Sequence, residues 1–369
     1  MPKYTFQAQE LKHSLVTVRS VKPEEGNLYL KFFGSNMIVA SADKRRYAQC
    51  SVSASSTDAE TDYESDFFVL PLERRSLFEH DTDFVTISVS DVIKVNAIEN
   101  GQSKKATLKK RVGSKFSLIS CPSSPYPSID SGVFNEILQH VSCSASVRET
   151  KTEEDMKVNQ VHFFSEHLCA SSQSRYHVTH VYYSGLLYDF SLVSSDIPIF
   201  KSFCDKTSGP INIIHDDKKI FLSGNKSFVS TSRVSIRRPQ FVSLDRSGFK
   251  YELEVNSEFF KNSFDWAKVA IEGTNKISID FKKQTGENGI MDTYYGSDLI
   301  SSIPILFKNG ESFQADFPAS VFIKISGHMG EEPVRMKYSH SSSSNLFEIS
   351  QTSKNSMETV HMLQSMRTK

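Results

Sequence analysis

The sequence predicts an α+β protein built from three copies of one domain. Two observations lead there. A chain of 369 residues exceeds what a single hydrophobic core serves, and the order helix, strands, helix, strands runs along it three times. The first helices of the three sets start roughly 125 residues apart, too long a period for a solenoid and the length of an ordinary domain. The repeat rests on element order alone, because the copies share no visible identity. Three unrelated α+β domains are the competing reading.

In residues 7–20, QAQELKHSLVTVRS, Leu11, Leu15 and Val18 fall at helical spacing. Residues 27–43, NLYLKFFGSNMIVASAD, follow as two strands about the turn Gly34-Ser35-Asn36. A second helical stretch is expected over 71–81, PLERRSLFEHD, and two alternating runs over 84–98. Phe116 and Leu118 alternate with Ser117 and Ile119 as a half-buried strand, after which Pro122, Pro125 and Pro127 forbid ladder or helix. That stretch is a seam. Helical spacing resumes at 131–142, with Ser131 as N-cap and Phe134, Ile137, Leu138 and Val141 on one face. Strands around 158–172, a short helix in 195–206, and the runs INIIHDDKKIFLSG and KSFVSTSRVSI complete the second set. A second seam falls at 238–250. In the third set, 256–271 place Phe259, Phe260, Phe264 and Ala267 on a helical face, and 276–283 and 289–296 alternate as strands. Residues 317–326, with Pro318 in a first helical turn, precede strands at 334–340 and 345–350.

Hydrophobic residues at 38% and charged residues at 23% suit a soluble globular protein. Lys+Arg and Asp+Glu are equal at 43 each, so no global charge draws the chain to nucleic acid; such binding needs charges segregated onto one surface. Cys50, Cys121, Cys143, Cys169 and Cys204 are odd in number and never spaced C-x-x-C, which argues against a disulfide framework or a zinc knuckle and for thiols in a reducing cytoplasm. The N-terminus lacks a signal-peptide core and no run reaches the length of a membrane span, so a cytoplasmic protein with no membrane partner is expected.

Familiar enzyme motifs are absent: no phosphate loop, no dinucleotide fingerprint, no H-E-x-x-H and no nucleophile elbow. His177 and His180 have a chelating interval only on a helix, and the surrounding VTHVYYS is strand-like. His215, Asp216 and Asp217 sit where a hairpin must turn. No catalytic residue, cofactor or metal is therefore expected. The basic residues are more informative by position. Lys12 and Arg19 lie seven apart on the first helix, with Lys22 just beyond; Arg74 and Arg75 are on the second, and Lys201, Lys206, Lys261, Lys268 and Lys324 recur on later ones. Singly each is an ordinary surface charge. Lining one common surface, they would form a track for phosphates that reads no sequence.

The seam GSKFSLISCPSSPYPSID also resembles a known segment. In the bacterial DNA polymerase III β subunits, the sliding clamps, a strand of the form R-F-S-L leads into a linker P-x-x-x-[FY]-P-x-[ILF]-[DE]. The matching residues here are Phe116, Ser117, Leu118, Pro122, Tyr126, Pro127, Ile129 and Asp130. IVASADKRR is similar to that family's strand ending T-x-T/S-D-x-[ED], with Asp43 at the Asp. KVNQVHFF resembles L-N-G-[MV]-L-F, HLCASSQSRYHV resembles A-T-D-[GS]-[HY]-R-L, and HMLQSMRT resembles the terminal M-P-M-R-[LI]. The likeness spans the chain in order, but Gln173 replaces the Asp, Gln160 the Gly and Ser365 the Pro, and Lys369 extends past the end. Such departures suit a divergent member, cellular or phage-encoded.

The resemblance implies clamp domains at 1–128, 129–247 and 248–369, with helices lining the inside and antiparallel sheets forming the outside of a closed ring. It implies a homodimer around double-stranded DNA that tethers a replicative DNA polymerase, at the bacterial nucleoid or a phage replication site. The dimer contact is expected at Phe116, Leu118, Ala270 and Ile271, for which ordinary core packing is the alternative. Polymerase and clamp-loader peptides are expected in a cleft at Val158, Arg175, Tyr176, Leu244, Phe347, Met362 and Met366; the two methionines could instead be buried tail residues. A clamp-fold scaffold for recombination, repair or transcription proteins, and an enzyme with an unmatched site, are the other readings. A basic concave face with an apolar cleft separates either clamp reading from the enzyme, which needs a polar pocket with perturbed titrating groups.

Overall fold

The computed structural model describes residues 1–21, 26–79, 82–99, 102–109, 116–122, 127–145, 159–174, 177–185, 189–234, 248–270, 276–340 and 345–364. The first set of elements is β1 (Lys3–Gln7), α1 (Ala8–Arg19), β2 (Asn27–Phe33), β3 (Asn36–Ala42), β4 (Arg46–Ser53), β5 (Ser56–Thr57), β6 (Phe68–Pro71), a 3-10 helix (Leu72–Leu77), β7 (Phe84–Val89), β8 (Val92–Glu99) and β9 (Gln102–Lys109). The second is β10 (Ser128–Asp130), α2 (Ser131–Ser142), β11 (Gln160–Phe163), β12 (Leu168–Gln173), β13 (His177–Tyr182), β14 (Phe190–Val193), α3 (Ile197–Lys206), β15 (Pro210–His215), β16 (Lys219–Gly224) and β17 (Ser227–Ser232). The third is β18 (Tyr251–Val255), α4 (Ser257–Ala270), β19 (Lys276–Lys283), β20 (Asn288–Tyr295), β21 (Asp298–Asn309), β22 (Phe313–Pro318), α5 (Ala319–Ser326), β23 (Val334–His340), β24 (Asn345–Thr352) and β25 (Glu358–Gln364). The element order expected from sequence thus recurs three times in an α+β fold.

All strand pairings are antiparallel, in sheets ordered β5-β1-β7-β8-β9, β10-β15-β16-β17-β4-β3-β2-β6 and β14-β11-β12-β13-β25-β24-β23-β18-β21-β20-β19-β22. The chain divides into two compact units: residues 1–135 with 198–233, which hold the first two sheets, and 136–197 with 234–369, which hold the third. One joint occurs in each unit. In the first, β4 pairs with β17, from Cys50 opposite Ser227 to Arg46 opposite Thr231. In the second, β13 pairs with β25, from His177 opposite Leu363 to Tyr182 opposite Glu358. Each joint ties the fourth main strand of one set to the last strand of the next, and backbone hydrogen bonds make each continuous.

Local chemistry explains the elements and corrects several expectations. α1 buries Leu11, Leu15 and Val18 completely, as its spacing predicts. Gly34 turns β2 into β3 with φ of +47°, where a Cβ would stand 3.0 Å from the Thr61 carbonyl oxygen. The cap of α2 is Asp130, not Ser131: the Asp130 Oδ1 accepts from the backbone N–H groups of Gly132 (2.9 Å) and Val133 (3.2 Å), while the Ser131 hydroxyl donates to the Thr207 carbonyl. The helix expected over 71–81 shrinks to the single 3-10 stretch Leu72–Leu77. Pro318 ends β22 and precedes α5 instead of starting it. Phe259 turns outward from α4 at 44% exposure, while Phe260 and Phe264 are fully buried.

The seam segment is the largest correction. Phe116 to Ile119 form no strand. They lie across the eight-stranded sheet, packing with Cys121 against Ala40, Tyr47, Ile214, Phe221 and Phe228. The Phe116 ring stacks on Tyr29 at 3.8 Å and meets Phe67 edge-on at 5.4 Å, and the Tyr47 hydroxyl accepts from the Ile119 N–H. The alternation is present, but the segment lies over the face of the sheet and not along an edge, so its apolar side chains serve as a cover.

Candidate functional site

The second joint carries an apolar strip. Residues directly opposite each other in an antiparallel pair share a face, so Val178 and Met362, in register, point the same way as Val360, opposite His180. Val178, Val360 and Met362 form one cluster, with Tyr182, Phe249 and Leu346 packed partly exposed against it. Polar groups flank it. The His180 Nδ1 is 3.0 Å from the Ser171 hydroxyl, and Glu348, opposite both Met362 and Lys337, is fully buried. A strip of β-branched and thioether side chains with half-exposed aromatic walls can accept apolar side chains of a partner segment, and Met adapts its shape to several.

Of the cleft residues expected from sequence, Met362 lies in this strip. Phe347 does not. It faces the opposite side of the sheet, in the third-set core, with its ring 5.2 Å from Phe317 and 5.7 Å from Phe281. Its neighbour Leu346 takes the groove face, because one step along a strand reverses direction. Val158, Arg175, Tyr176, Leu244 and Met366 lie outside the described residues. Val178, Tyr182, Phe249, Leu346 and Val360 were missed. Alternation from Met362 would have found Val360, two residues away; the rest depended on cross-strand register.

The other face of the same joint is polar and histidine-rich. His177 Nε2, His361 Nδ1 and the Thr179 hydroxyl lie 3.1 to 3.2 Å from one another, all essentially without exposure. Burial first, then the Lys324 charge, pulls the His177 imidazole down to about 3; burial first, then neighbouring histidines, holds His361 well below its usual range. His180 points to the opposite face, so the HVTH interval brings no pair together, and His215 and Asp216 form the β15–β16 turn as expected. Among the described residues no group of three His, Cys, Asp or Glu is arranged to hold a metal, and all five cysteines are free thiols.

Helices cover both joints. Over the first, Ser14 and Thr17 of α1 contact the Cys50 thiol, whose pKa burial pushes up to about 12. Burial first and then the Lys206 charge on α3 lower the His13 imidazole of α1. Over the second, the Cys143 thiol after α2 donates to the Lys324 carbonyl of α5. The expected basic residues distribute accordingly. Lys12, Arg74 and Lys206 are exposed, Arg19, Arg75 and Lys201 partly so, in the first unit; Lys268 and Lys324 are exposed and Lys261 partly so in the second. Arg75 pairs with Glu79 at 3.5 Å and Lys268 with Asp265 at 2.5 Å. Lys22 lies outside the described residues.

Two strands stand where β4 and β17 stand in their sets, β21 as the fourth of the third set and β9 as the last of the first, and both keep an unpaired edge among the described residues. β9 pairs there only with β8. Residues 298–304 of β21 pair with β20 alone, because β18 takes only Ile305 to Asn309. α4 starts beside that β18 end and meets β21 where the Ser301 hydroxyl donates to Ser263, so its last turns run toward Leu299. There Trp266, the chain's single tryptophan, is 68% exposed and Leu299 55%. Of the dimer contacts expected from sequence, Phe116 and Leu118 lie half-buried against their own sheet, Ala270 is the last residue of α4, and Ile271 lies outside the described residues.

No family model and no curated protein matches the sequence. Solved structures do match. The chain is similar over its full length to the whole DNA polymerase III β subunit of Thermotoga maritima (15% identity, TM-score 0.76) and to the whole DNA polymerase sliding clamp of Bacillus subtilis (12%, 0.79). For the DNA polymerase III β subunit of Pseudomonas aeruginosa the match covers 99% of this chain and all of that one (14%, 0.77). The fold is therefore the three-domain sliding-clamp fold. Among the described residues no helix is long and apolar enough to cross a membrane.

Proposed function

We propose that this chain is a DNA sliding clamp: a non-enzymatic processivity factor that encircles duplex DNA as a homodimeric ring and holds a polymerase there. The carrying observation is the joint. It is made twice within the chain, β4 to β17 and β13 to β25, and the strands at the corresponding positions, β21 as fourth of the third set and β9 as last of the first, each with an unpaired edge, are the two halves of a third. A second copy supplies the missing half at each end, so two chains close head to tail with two such joints. Domain limits near 128 and 247 follow the same repeat. By the same analogy α4 then meets the 3-10 helix Leu72–Leu77 of the other copy, and Trp266 becomes buried.

Lys12, Arg19, Arg74, Arg75, Lys201, Lys206, Lys261, Lys268 and Lys324, on helices that line the hole, contact phosphates without reading bases, as does Lys22. Topological enclosure removes the need for tight binding, so a chain of zero net charge suffices. The strip at Val178, Val360 and Met362 takes the apolar residues of polymerase and loader peptides.

Two experiments test this reading. Retention on nicked circular DNA with loss from the same DNA linearised, with an active loader supplied, is the expected result; equal retention on both favours a scaffold that merely binds DNA. Trp266 emission should shift to the blue as protein concentration passes through the dimer dissociation constant. A constant spectrum across that range, with a dimer seen by sedimentation, removes the proposed joint.

A further inference from the structure

We infer that the face of the five-stranded sheet turned away from α1 is a docking surface for an acidic protein segment carrying apolar anchor residues. Register assigns the face. Tyr4, Phe6, Val85, Ile87, Ile93 and Val95 point inward, so Lys3, Phe84, Lys94, Ile98 and Lys105 share the outer side. Phe84 and Ile98 sit one step beyond the Val85–Ala97 pair and hence side by side; they are 51% and 64% exposed. Lys3 and Lys94 are both in register with Ser88, about 10 Å apart by strand spacing. Lys105 faces outward opposite Asn96.

The charge on this face is of one sign. The five strands contain a single acidic residue, Glu99, at a position of the opposite parity, paired with Gln102. Asp58, Asp83 and Asp91 lie in the rim turns, and Asp58 accepts from the Lys3 backbone N–H. The exposed face of β19 and β20 is different: there Lys282 bonds Asp292 at 2.6 Å and lies 3.7 Å from Asp280, and Lys276 bonds Asp316 at 2.5 Å. In a chain with no net charge, an unbalanced cationic face is a local feature. Protection of a sheet edge accounts for Lys105 on β9, but not for Lys3 and Lys94 on the interior strands β1 and β8.

The apolar pair selects the partner's class. Phosphates gain nothing from a phenyl and a sec-butyl group on a flat sheet, whereas an acidic peptide with two apolar side chains buries both and places carboxylates over the lysines. The surface lies on different strands from the groove at β13 and β25, so the inference stands apart from the clamp reading.

The test uses the full chain, fluorescence anisotropy and two labelled 16-residue probes of Asp and Glu, one with Phe and Leu at alternate positions, the other with Ser there. A 30-base-pair duplex is the third probe. The expected result is binding of the anchored peptide that weakens with salt, roughly tenfold weaker binding of the Ser peptide, and a loss of roughly tenfold or more in Lys3→Glu/Lys94→Glu/Lys105→Glu. Phe84→Ser/Ile98→Ser should abolish the difference between the two peptides. Lys94→Gln/Lys105→Gln, a milder change, should lose affinity in the same direction if the triple variant folds poorly. The inference is overturned if the wild type ignores the anchored peptide, if charge reversal leaves its affinity unchanged, or if only duplex binding responds to these variants.

Discussion

Acid should loosen the second joint through His177 and His361. Each neutral imidazole carries one N–H, and the two facing nitrogens, 3.1 Å apart, share one proton between them. A second proton would set two donors against each other with only the Thr179 hydroxyl to accept, in a place without water exposure. Hence the His177 imidazole at about 3, with His361 also depressed. The unfolded chain protonates both near 6.5, so below that pH it binds protons that the native joint refuses. Stability is therefore whole above 6.5, falls as pH drops through that value, and goes on falling until the native histidines protonate. At pH 5, below the unfolded value and above that of His177 in the joint, His177 alone accounts for about 2 kcal/mol, and His361 acts in the same direction. The charges that act on the pair, from Lys324 and from His140, His328 and His180, push in the same direction as burial. Urea unfolding followed by far-ultraviolet circular dichroism at pH 7.5, 6.5, 5.5 and 5.0 reads the slope. Wild type should lose about 2 kcal/mol or more beyond His177→Gln/His361→Gln between pH 7.5 and 5, since the variant lacks this pH-dependent part. Comparing slopes removes the cost of the lost hydrogen bonds, which both ends of the variant's curve carry. Parallel curves for the two proteins would refute the reasoning; His162, held at about 4 by burial, contributes equally to both.

Asp130→Ala should cost about 1 kcal/mol of stability, since it removes the cap shared by two N–H groups of α2, and Asp130→Ser should restore most of it in the same unfolding assay. Phe116→Ala should cost about 2–4 kcal/mol by opening a gap between Tyr29 and Phe67; a loss of dimer with unchanged monomer stability would instead return Phe116 to the interface. Val178→Ala/Met362→Ala should weaken a polymerase-derived peptide roughly tenfold or more by calorimetry without altering sedimentation, and unchanged affinity would remove the groove assignment. Charge reversal at Arg19, Arg74 and Lys201 together should weaken DNA association more in low salt than in high; equal weakening at every salt concentration would count against an electrostatic track.

The sequence by itself determined the elements whose cause is local. The 3.6-residue spacing of Leu11, Leu15 and Val18, the alternation in β19 and β20, and the turns at Gly34 and Asp216 each act within a few residues, and the order of elements displayed the threefold repeat. Competition over distance was not legible. Phe116 to Ile119 alternate like a strand, yet only the folded sheet determines that they lie over its face instead of pairing along an edge. Lys-rich β9 gave no strand signal, because an edge strand is half solvated and its hydrophobic pattern is weak. Met362 was visible as a flexible apolar residue near the chain end, but its companions Val178 and Leu346 come from strands that meet it only through β13–β25 and β24–β25 pairing. Register also sent Phe347 into the core and left His177 against His361 across 184 residues. Tertiary structure decided these matters because a side chain's face depends on a partner strand, and partners are chosen by the whole fold.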